Sequence, residues 1–411
     1  MIEKLFKSVE DKDYIIYLQR ELTKRPAISP LSGGEGEWEK AMFIKSELEK
    51  LKPDTIEVIN AQDPKAKNGV RSNIVAIHKA KNDTKKTVWF MSHIDIVPPG
   101  ELSLWKSNPY EIVVDGDKII GRGVEDNQQA IVSSFLILKS LKENELRFDF
   151  NVGFLFCADE ETGSGYGADY IVEKRKDLFS KDDMFFVPDS GTEDGSAIEI
   201  AEKSIMWIKV KTIGKQCHAS RPQLGINAFK AASEIVVELS KLYKIFNKKN
   251  KLFEPPYSTF EPTKKEANVP NVNTIPGEDV FYIDCRVLPE YKIEKVEKEI
   301  IKITKKIEKK YGVKTSIEYQ QKSQAAPITE PNSPIVLALK KSIKEVLNVK
   351  PKVYGIGGGT VAAFFRRLNL PTVVYSKLNE TAHQPNEYCY ISNIISDAKV
   401  FIKTLLNLQQ I

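Results

Sequence analysis

The sequence predicts an α/β protein: a large domain with a mainly parallel sheet flanked by helices, and a smaller α+β domain inserted into it. Three observations lead there. In the first half of the chain, short apolar runs at 87–91, 151–157 and 184–187 alternate with helical patterns, the rhythm of strand–helix–strand units. Around Glu202 the texture changes to apolar–polar alternation, as in half-exposed strands. A stretch rich in Pro, Ser and Gln at 323–334 then reads as a linker back to the first domain. The expected division is 1–201 and 321–411 for the large domain and 202–320 for the insert.

Taken in order, residues 11–20 and 35–51 predict helices. In the second of these, Trp38, Met42, Phe43, Leu48 and Leu51 are spaced for one apolar face. Strands are expected at 73–77, 87–91 and 151–157, a helix at 129–143, and a short strand at 184–187. Ligands of such sheets bind beyond the carboxyl ends of the strands. Within the insert, 204–212 reads as a strand, 227–243 as an amphipathic helix and 279–287 as a strand. Ile293, Val296, Ile300, Ile303 and Ile307 recur every three to four residues among Lys and Glu, which marks a surface helix, and 313–319 closes the block as a strand. After the linker come a helix at 335–347, a glycine turn at 355–359 opening a helix at 361–368, and a strand at 372–375.

Composition excludes several classes. With 41% apolar and 28% charged residues, the 411-residue chain has an ordinary globular balance, not that of a disordered one. A net charge of +5 is mild and predicts no nucleic-acid partner. No apolar run approaches the ~20 residues that span a bilayer, so no membrane partner is expected. Residues 1–10 mix charges of both signs and show no secretory signal. Cys157, Cys217, Cys285 and Cys389 are scattered without close pairs, which fits a reducing cytoplasm better than a disulfide framework or a thiolate zinc site. Only four histidines occur, so their positions are informative.

Five constellations could carry chemistry. His93-Ile94-Asp95 ends the 87–91 run. Residues two apart on a strand share a face, and a metal-bound imidazole commonly donates its other ring N–H to a carboxylate, which Asp95 could supply. Asp126 closes Gly121-Arg122-Gly123-Val124-Glu125-Asp126 before a helix; it suits a helix cap or, on a glycine-permitted path, an inward carboxylate. Asp159-Glu160-Glu161 follows a buried strand, where three carboxylates need a cation or a raised pKa unless the turn faces solvent. Pro188-Asp189-Ser190-Gly191 and the loop around His383 (Glu380 to Glu387) also follow strands, and each alone reads equally well as a turn. Four constellations lie at strand ends and one precedes a helix, so all can converge on one rim. Two imidazoles with three carboxylates and no thiolate suit Zn, Co or Mn. One carboxylate bridging two ions, with a His and a carboxylate completing each, fits a two-metal hydrolytic centre.

The ordered set His93-x-Asp95, Gly-Arg-Gly-x-x-Asp126, Asp-Glu160-Glu161, Pro-Asp189 and His383-x-x-Asn-Glu resembles the dinuclear zinc family of aminoacylases, acetylornithine deacetylases, succinyl-diaminopimelate desuccinylases and glutamate carboxypeptidases, from about Leu22 to the C-terminus. The resemblance implies two divalent metal ions, with Asp126 as bridge, His93 and Asp189 completing one site, and Glu161 and His383 the other. It implies Glu160 as general base, Asp95 as the residue orienting His93, and 202–320 as a lid and dimerisation domain of a cytoplasmic homodimer. Cys217-His218-Ala219-Ser220 matches the family's lid histidine, with His218 polarising the scissile carbonyl across the dimer. Asn273 and Arg286 match positions that hold the substrate's carboxylate, and the amides of Gly358, Gly359 and Thr360 would suit the same group. Desuccinylases typically follow Gly-Thr with Ser-Asp, whereas Val361-Ala362 stands here. The implied activity is hydrolysis of the amide of a small N-acyl amino acid through a metal-activated water. The alternatives are a dipeptidase or carboxypeptidase on the same chemistry, or a metal-dependent binding protein without catalysis. No Gly-x-Ser-x-Gly elbow supports a serine triad, and His78 fits no motif.

Overall fold

The computed structural model describes residues 2–410. Spatial proximity divides the chain into two compact units: Met1–Ile200 with Thr329–Val353 and Phe364–Ile411, and Ala201–Ile328 with Tyr354–Ala363. The return to the first unit falls at Thr329, not at 321. The strand Lys314–Ser323 runs beyond its predicted end, and the chain after it stays tied to Ser204, whose Oγ accepts from Gln324 Nε2 at 3.0 Å and Ala325 N at 2.8 Å. Residues 354–363 join the second unit because Gly355 N donates to Leu252 O at 2.6 Å and Lys203 N to Ile356 O at 3.0 Å.

The first unit is built on an eight-stranded sheet in the order Thr55–Gln62, Val70–His78, Asn151–Cys157, Thr87–His93, Met184–Gly191, Thr372–Ser376, Ala197–Glu202 and Lys352–Ile356. Its four central strands, from Asn151–Cys157 to Thr372–Ser376, are mutually parallel. Their apolar runs are buried along almost their whole length, as parallel strands covered by helices must be. Phe90 lies at the core's centre, with ring centroids 5.8 Å from Phe154, 5.1 Å from Phe186 and 5.2 Å from Phe401. Because the four strands run the same way, their carboxyl ends open on one edge, and the loops that carry the candidate residues leave from there.

The helix predicted at 35–51 begins at Trp38. Its buried residues are Lys40, Ala41, Phe43, Ile44, Glu47 and Leu48, with Trp38, Met42 and Leu51 only half-buried. This buried set carries charge because the neighbouring residues include a buried ion network: Arg71, on the strand Val70–His78, donates through Nε to Glu37 Oε2 at 2.5 Å and reaches Asp159 Oδ1 at 3.2 Å.

The second unit has a four-stranded antiparallel sheet in the order Thr259–Lys265, Glu278–Val287, Ser204–Ile213 and Lys314–Ser323. The helices Ala228–Leu239 and Ile293–Tyr311 share a core with it, in which Ile208, Val210, Ile235, Ile283, Ile300 and Ile307 are buried. The helix predicted to continue to 243 breaks after Leu239 and resumes as one turn, Leu242–Ile245. A small ribbon pairs Cys217–His218 with Thr274–Ile275.

Candidate metal centre

Each candidate side chain of the first unit sits where its element ends. His93 is the last residue of its strand and is buried. The strand Met184–Gly191 runs through Pro188-Asp189-Ser190, so this segment is extended and does not form the turn its composition also allows. Glycine is required at its end: a Cβ on Gly191 would lie 1.7 Å from the carbonyl oxygen of Ser376. Glu160 and Glu161 occupy a single helical turn, Glu160–Thr162, after Asn151–Cys157. Asp126 is not the helix cap; Asn127 stands there, and the carboxylate of Asp126 points between two imidazoles.

The geometry is a bridge. His93 Nε2 lies 2.9 Å from Asp126 Oδ1 and 3.4 Å from Asp189 Oδ1. His383 Nε2 lies 3.1 Å from Asp126 Oδ2 and 3.2 Å from Glu161 Oε1. Two triads of possible ligand atoms result, His93–Asp126–Asp189 and Asp126–Glu161–His383, each within 4.8 Å. They share Asp126, one oxygen to each. Hydrogen bonds to Asp126 and Glu161 push His383 up to about 10. Burial opposes the charged form of His93, but Asp126 and Asp189 outweigh it and hold its pKa well above the ordinary value. Glu160 moves up for the opposite reason: burial first, then the charges of Asp189, Asp95 and Glu161. Three carboxylates, two imidazoles and a further half-buried glutamate brought together in this way are a donor set that fits a pair of divalent cations.

Surrounding residues hold this set in place. His93 Nδ1 donates to the backbone carbonyl of Asp95 at 3.0 Å. The Asp95 carboxylate lies farther, at 3.4 Å, and instead accepts the backbone N–H groups of Glu160 and Glu161, both at 3.0 Å. Asp95 therefore orients the acidic turn with its side chain and His93 mainly with its backbone. Three contributors escape the sequence reading. Asn127 ties together three segments: its Oδ1 accepts from His93 N at 3.2 Å, and its Nδ2 donates to Pro188 O at 2.9 Å and Asp189 Oδ1 at 2.8 Å. Glu387, buried, accepts from Arg122 at 2.6 Å and from the amides of Gly123, Glu125 and Asp126 at 3.0–3.1 Å. It locks the Asp126 loop to the His383 loop. Arg71 backs the acidic turn through Asp159. Arg71 lies just before the strand predicted at 73–77, among Ser72 and Asn73, where nothing local marks it, whereas Glu387 was readable as the last residue of the His383 motif.

The remaining candidates lie in the second unit. His218 is exposed, and its Nδ1 accepts from Ser220 N at 3.1 Å and Ser220 Oγ at 2.8 Å. A neutral ring so held carries its proton on Nε2. Thr274 pairs with His218 across the small ribbon, and Asn273, just before it, accepts from Ala219 N at 2.8 Å through its carbonyl. The Arg286 guanidinium is already engaged, by Asp284 at 2.7 and 2.9 Å and by Gly357 O at 3.0 Å. The amide of Thr360 donates to Glu202 Oε2 at 3.0 Å, and Gly359 lies against the same carboxylate. A Cβ on Gly358 would meet Ile356 Cδ1 at 4.0 Å, ordinary van der Waals contact. His78 Nε2 donates to Leu146 O at 2.9 Å, a structural contact.

Residues 89–407 match peptidase family M20/M25/M40. The chain is 43% identical over 407 residues to a protein described as an uncharacterized metallohydrolase of Methanocaldococcus jannaschii, with 95% of this chain and 98% of the relative covered. It is 25% identical over 396 residues to the succinyl-diaminopimelate desuccinylase of Pelagibacter ubique, covering 95% and 98%. Among solved structures, aminopeptidase PepT of Bacillus cereus shares the fold, with a TM-score of 0.76 at 18% identity over 97% of this chain and 99% of that one.

Proposed function

The chain belongs to peptidase family M20/M25/M40 and is a metal-dependent hydrolase of amide or peptide bonds, and from that premise we propose that it cleaves small N-acyl amino acids or short peptides at a two-cation centre. The observation that carries the reading is the Asp126 carboxylate, with one oxygen 2.9 Å from His93 and the other 3.1 Å from His383. His93, Asp126 and Asp189 would hold one ion and Asp126, Glu161 and His383 the other, with zinc the first candidate and cobalt or manganese compatible with the same donors. A bound pair supplies Lewis-acid polarisation and lowers the pKa of water.

The chain's own residues do the proton work. Glu160 lies in the same turn as Glu161, half-buried among carboxylates that together with desolvation make its proton hard to lose, which suits a group that takes a proton from water and returns it to the leaving amine. Asp95 fixes that turn through both of its amides. His218, with Nε2–H set by Ser220, is a donor for the oxygen of a scissile carbonyl. We assign the second unit as the lid and dimerisation domain that presents it.

Replacing Glu160 with Gln separates the roles. The variant keeps its metal content while kcat/KM on N-acyl amino acids and dipeptides falls about 10²–10⁴-fold. Turnover near the wild-type rate refutes Glu160 as base, and a wild-type holoprotein that binds these ligands without ever cleaving them supports a binding protein instead. Comparing acyl amino acids with dipeptides separates deacylase from dipeptidase.

A further inference from the structure

Beside the candidate metal centre, within the first unit, lies a cavity of about 290 Å³. Asp126 and Asp189 form part of its wall, and Ser190, Leu378, Glu380 and Ala382 are among the rest. Glu125 also borders it, but its carboxylate is spent on the turn opposite, accepting from Asn379 N at 2.5 Å and from Thr381 Oγ1 at 2.7 Å, and also from Thr381 N. Those two amides flank residue 380, which has a φ of 56°. This left-handed region favours glycine over a residue with a side chain. The chain nevertheless places a glutamate there, pinned from both sides by Glu125. Among the described residues, no hydrogen bond or ion pair engages the Glu380 carboxylate. Asp126 and Asp189 are assigned to cations and Glu125 to the turn. Glu380 is thus the one acidic group of this wall with no partner of its own.

We infer that Glu380 is a specificity residue, selecting substrates that bring an ammonium group into this cavity. This rests on the function proposed above and adds the charge of the substrate to it. Glu380 is exposed at the edge of this cavity, where a carboxylate attracts an ammonium and repels a second carboxylate. Leu378 and Ala382 accommodate a short aliphatic stem beneath such a group. A dicarboxylic acyl group such as succinyl, with its own negative end, is disfavoured in the same place. Two substrates carry the required charge: a short peptide through its free α-amino terminus, and an acylated amino acid through a side-chain amine.

Two matched pairs test the inference on the full-length, zinc- or cobalt-loaded protein. Glycyl-leucine against propionyl-leucine places the ammonium on the acyl side, and Nα-acetyl-lysine against Nα-acetyl-2-aminoheptanoate places it on the amine side. We expect kcat/KM to favour the charged member of at least one pair by about tenfold or more. Glu380→Gln brings that ratio close to one, and Glu380→Lys inverts it. Ratios near one in both wild-type pairs, or a preference that survives both substitutions, overturn the assignment. Calorimetric titration of the same four compounds onto metal-loaded Glu160→Gln protein reads the preference as a ratio of Kd values without turnover. A Kd preference that depends on Glu380, alongside wild-type metal-loaded protein that cleaves none of the compounds, supports this inference and sinks the hydrolase reading. Equal Kd values overturn the inference whatever the turnover.

Discussion

At the scale of single residues, Asp126 is where burial, charge and geometry meet. Both of its oxygens face an imidazole, and the hydrogen bonds from His383 and His93 hold its pKa well below the ordinary carboxylate range although burial pushes the other way. The two imidazoles pay the complementary shift upward. A divalent cation takes a lone pair on each ring nitrogen, so loading must expel the protons the rings hold in its absence. The sign follows: protons compete with the metal, and apparent affinity rises with pH, for His383 up to about pH 10. Calorimetric metal titration at pH 7 in two buffers of different protonation enthalpy should show about two protons released per chain. Metal uptake without proton release contradicts the assignment of these rings. At this scale the sequence was informative about which residues cluster and silent about what aims them. With only four histidines in the chain, His93 and His383 stand out, and Asp126, Glu161 and Asp189 sit in short motifs near element ends, a signal visible in one dimension. Asn127 and Glu387 act through contacts 62 and more than 260 positions away, and nothing local marks an asparagine as a staple.

Among the elements, the parallel strands are legible because burial on both faces leaves continuous apolar runs. The edge strand Thr55–Gln62 goes unread, since its mixed alternation of exposed and half-buried residues resembles a surface segment. The C-terminal helix Ile391–Leu408 also lies outside the sequence reading, although most of its residues are buried. This helix carries Asp397, which accepts from Ser376 Oγ at 2.5 Å, Gln129 Nε2 at 2.9 Å and Lys377 N at 2.9 Å, and so joins it to the last parallel strand and to the helix Gln128–Glu143. Burial pushes Asp397 up to about 7 despite these bonds. A folded-state pKa above the unfolded value means that its contribution to stability is full below the unfolded value, near 4, and is lost as pH rises through about 7. Over that window this carboxyl should cost about 1.4 kcal/mol of stability per pH unit. Asp397→Asn removes the titration. Urea unfolding at several pH values should therefore show the wild type losing stability relative to the variant between pH 5 and 7. Parallel curves across that range contradict the assignment.

For the whole molecule, the insertion is what the sequence's change of texture announces, and its edges shift only where strand pairing carries the chain past the predicted turn, at Ser323 and again at Tyr354. If the second unit of one copy serves the site of another, His218→Ala and Glu160→Gln subunits, each inactive alone, should together recover about a quarter of wild-type activity on statistical mixing, because one of the two sites in each mixed dimer is then whole. No recovery, or an active monomer on sedimentation, places His218 in its own chain or outside the reaction. All of this depends on cations at the bridge. Elemental analysis with anomalous diffraction at the metal edges, on protein loaded and then treated with chelator, measures that most directly. The account predicts two ions per chain, one at His93–Asp126–Asp189 and one at Asp126–Glu161–His383, with hydrolysis lost on chelation and restored on reloading. No ion at either place after soaking, together with hydrolysis that survives the chelator, would contradict it.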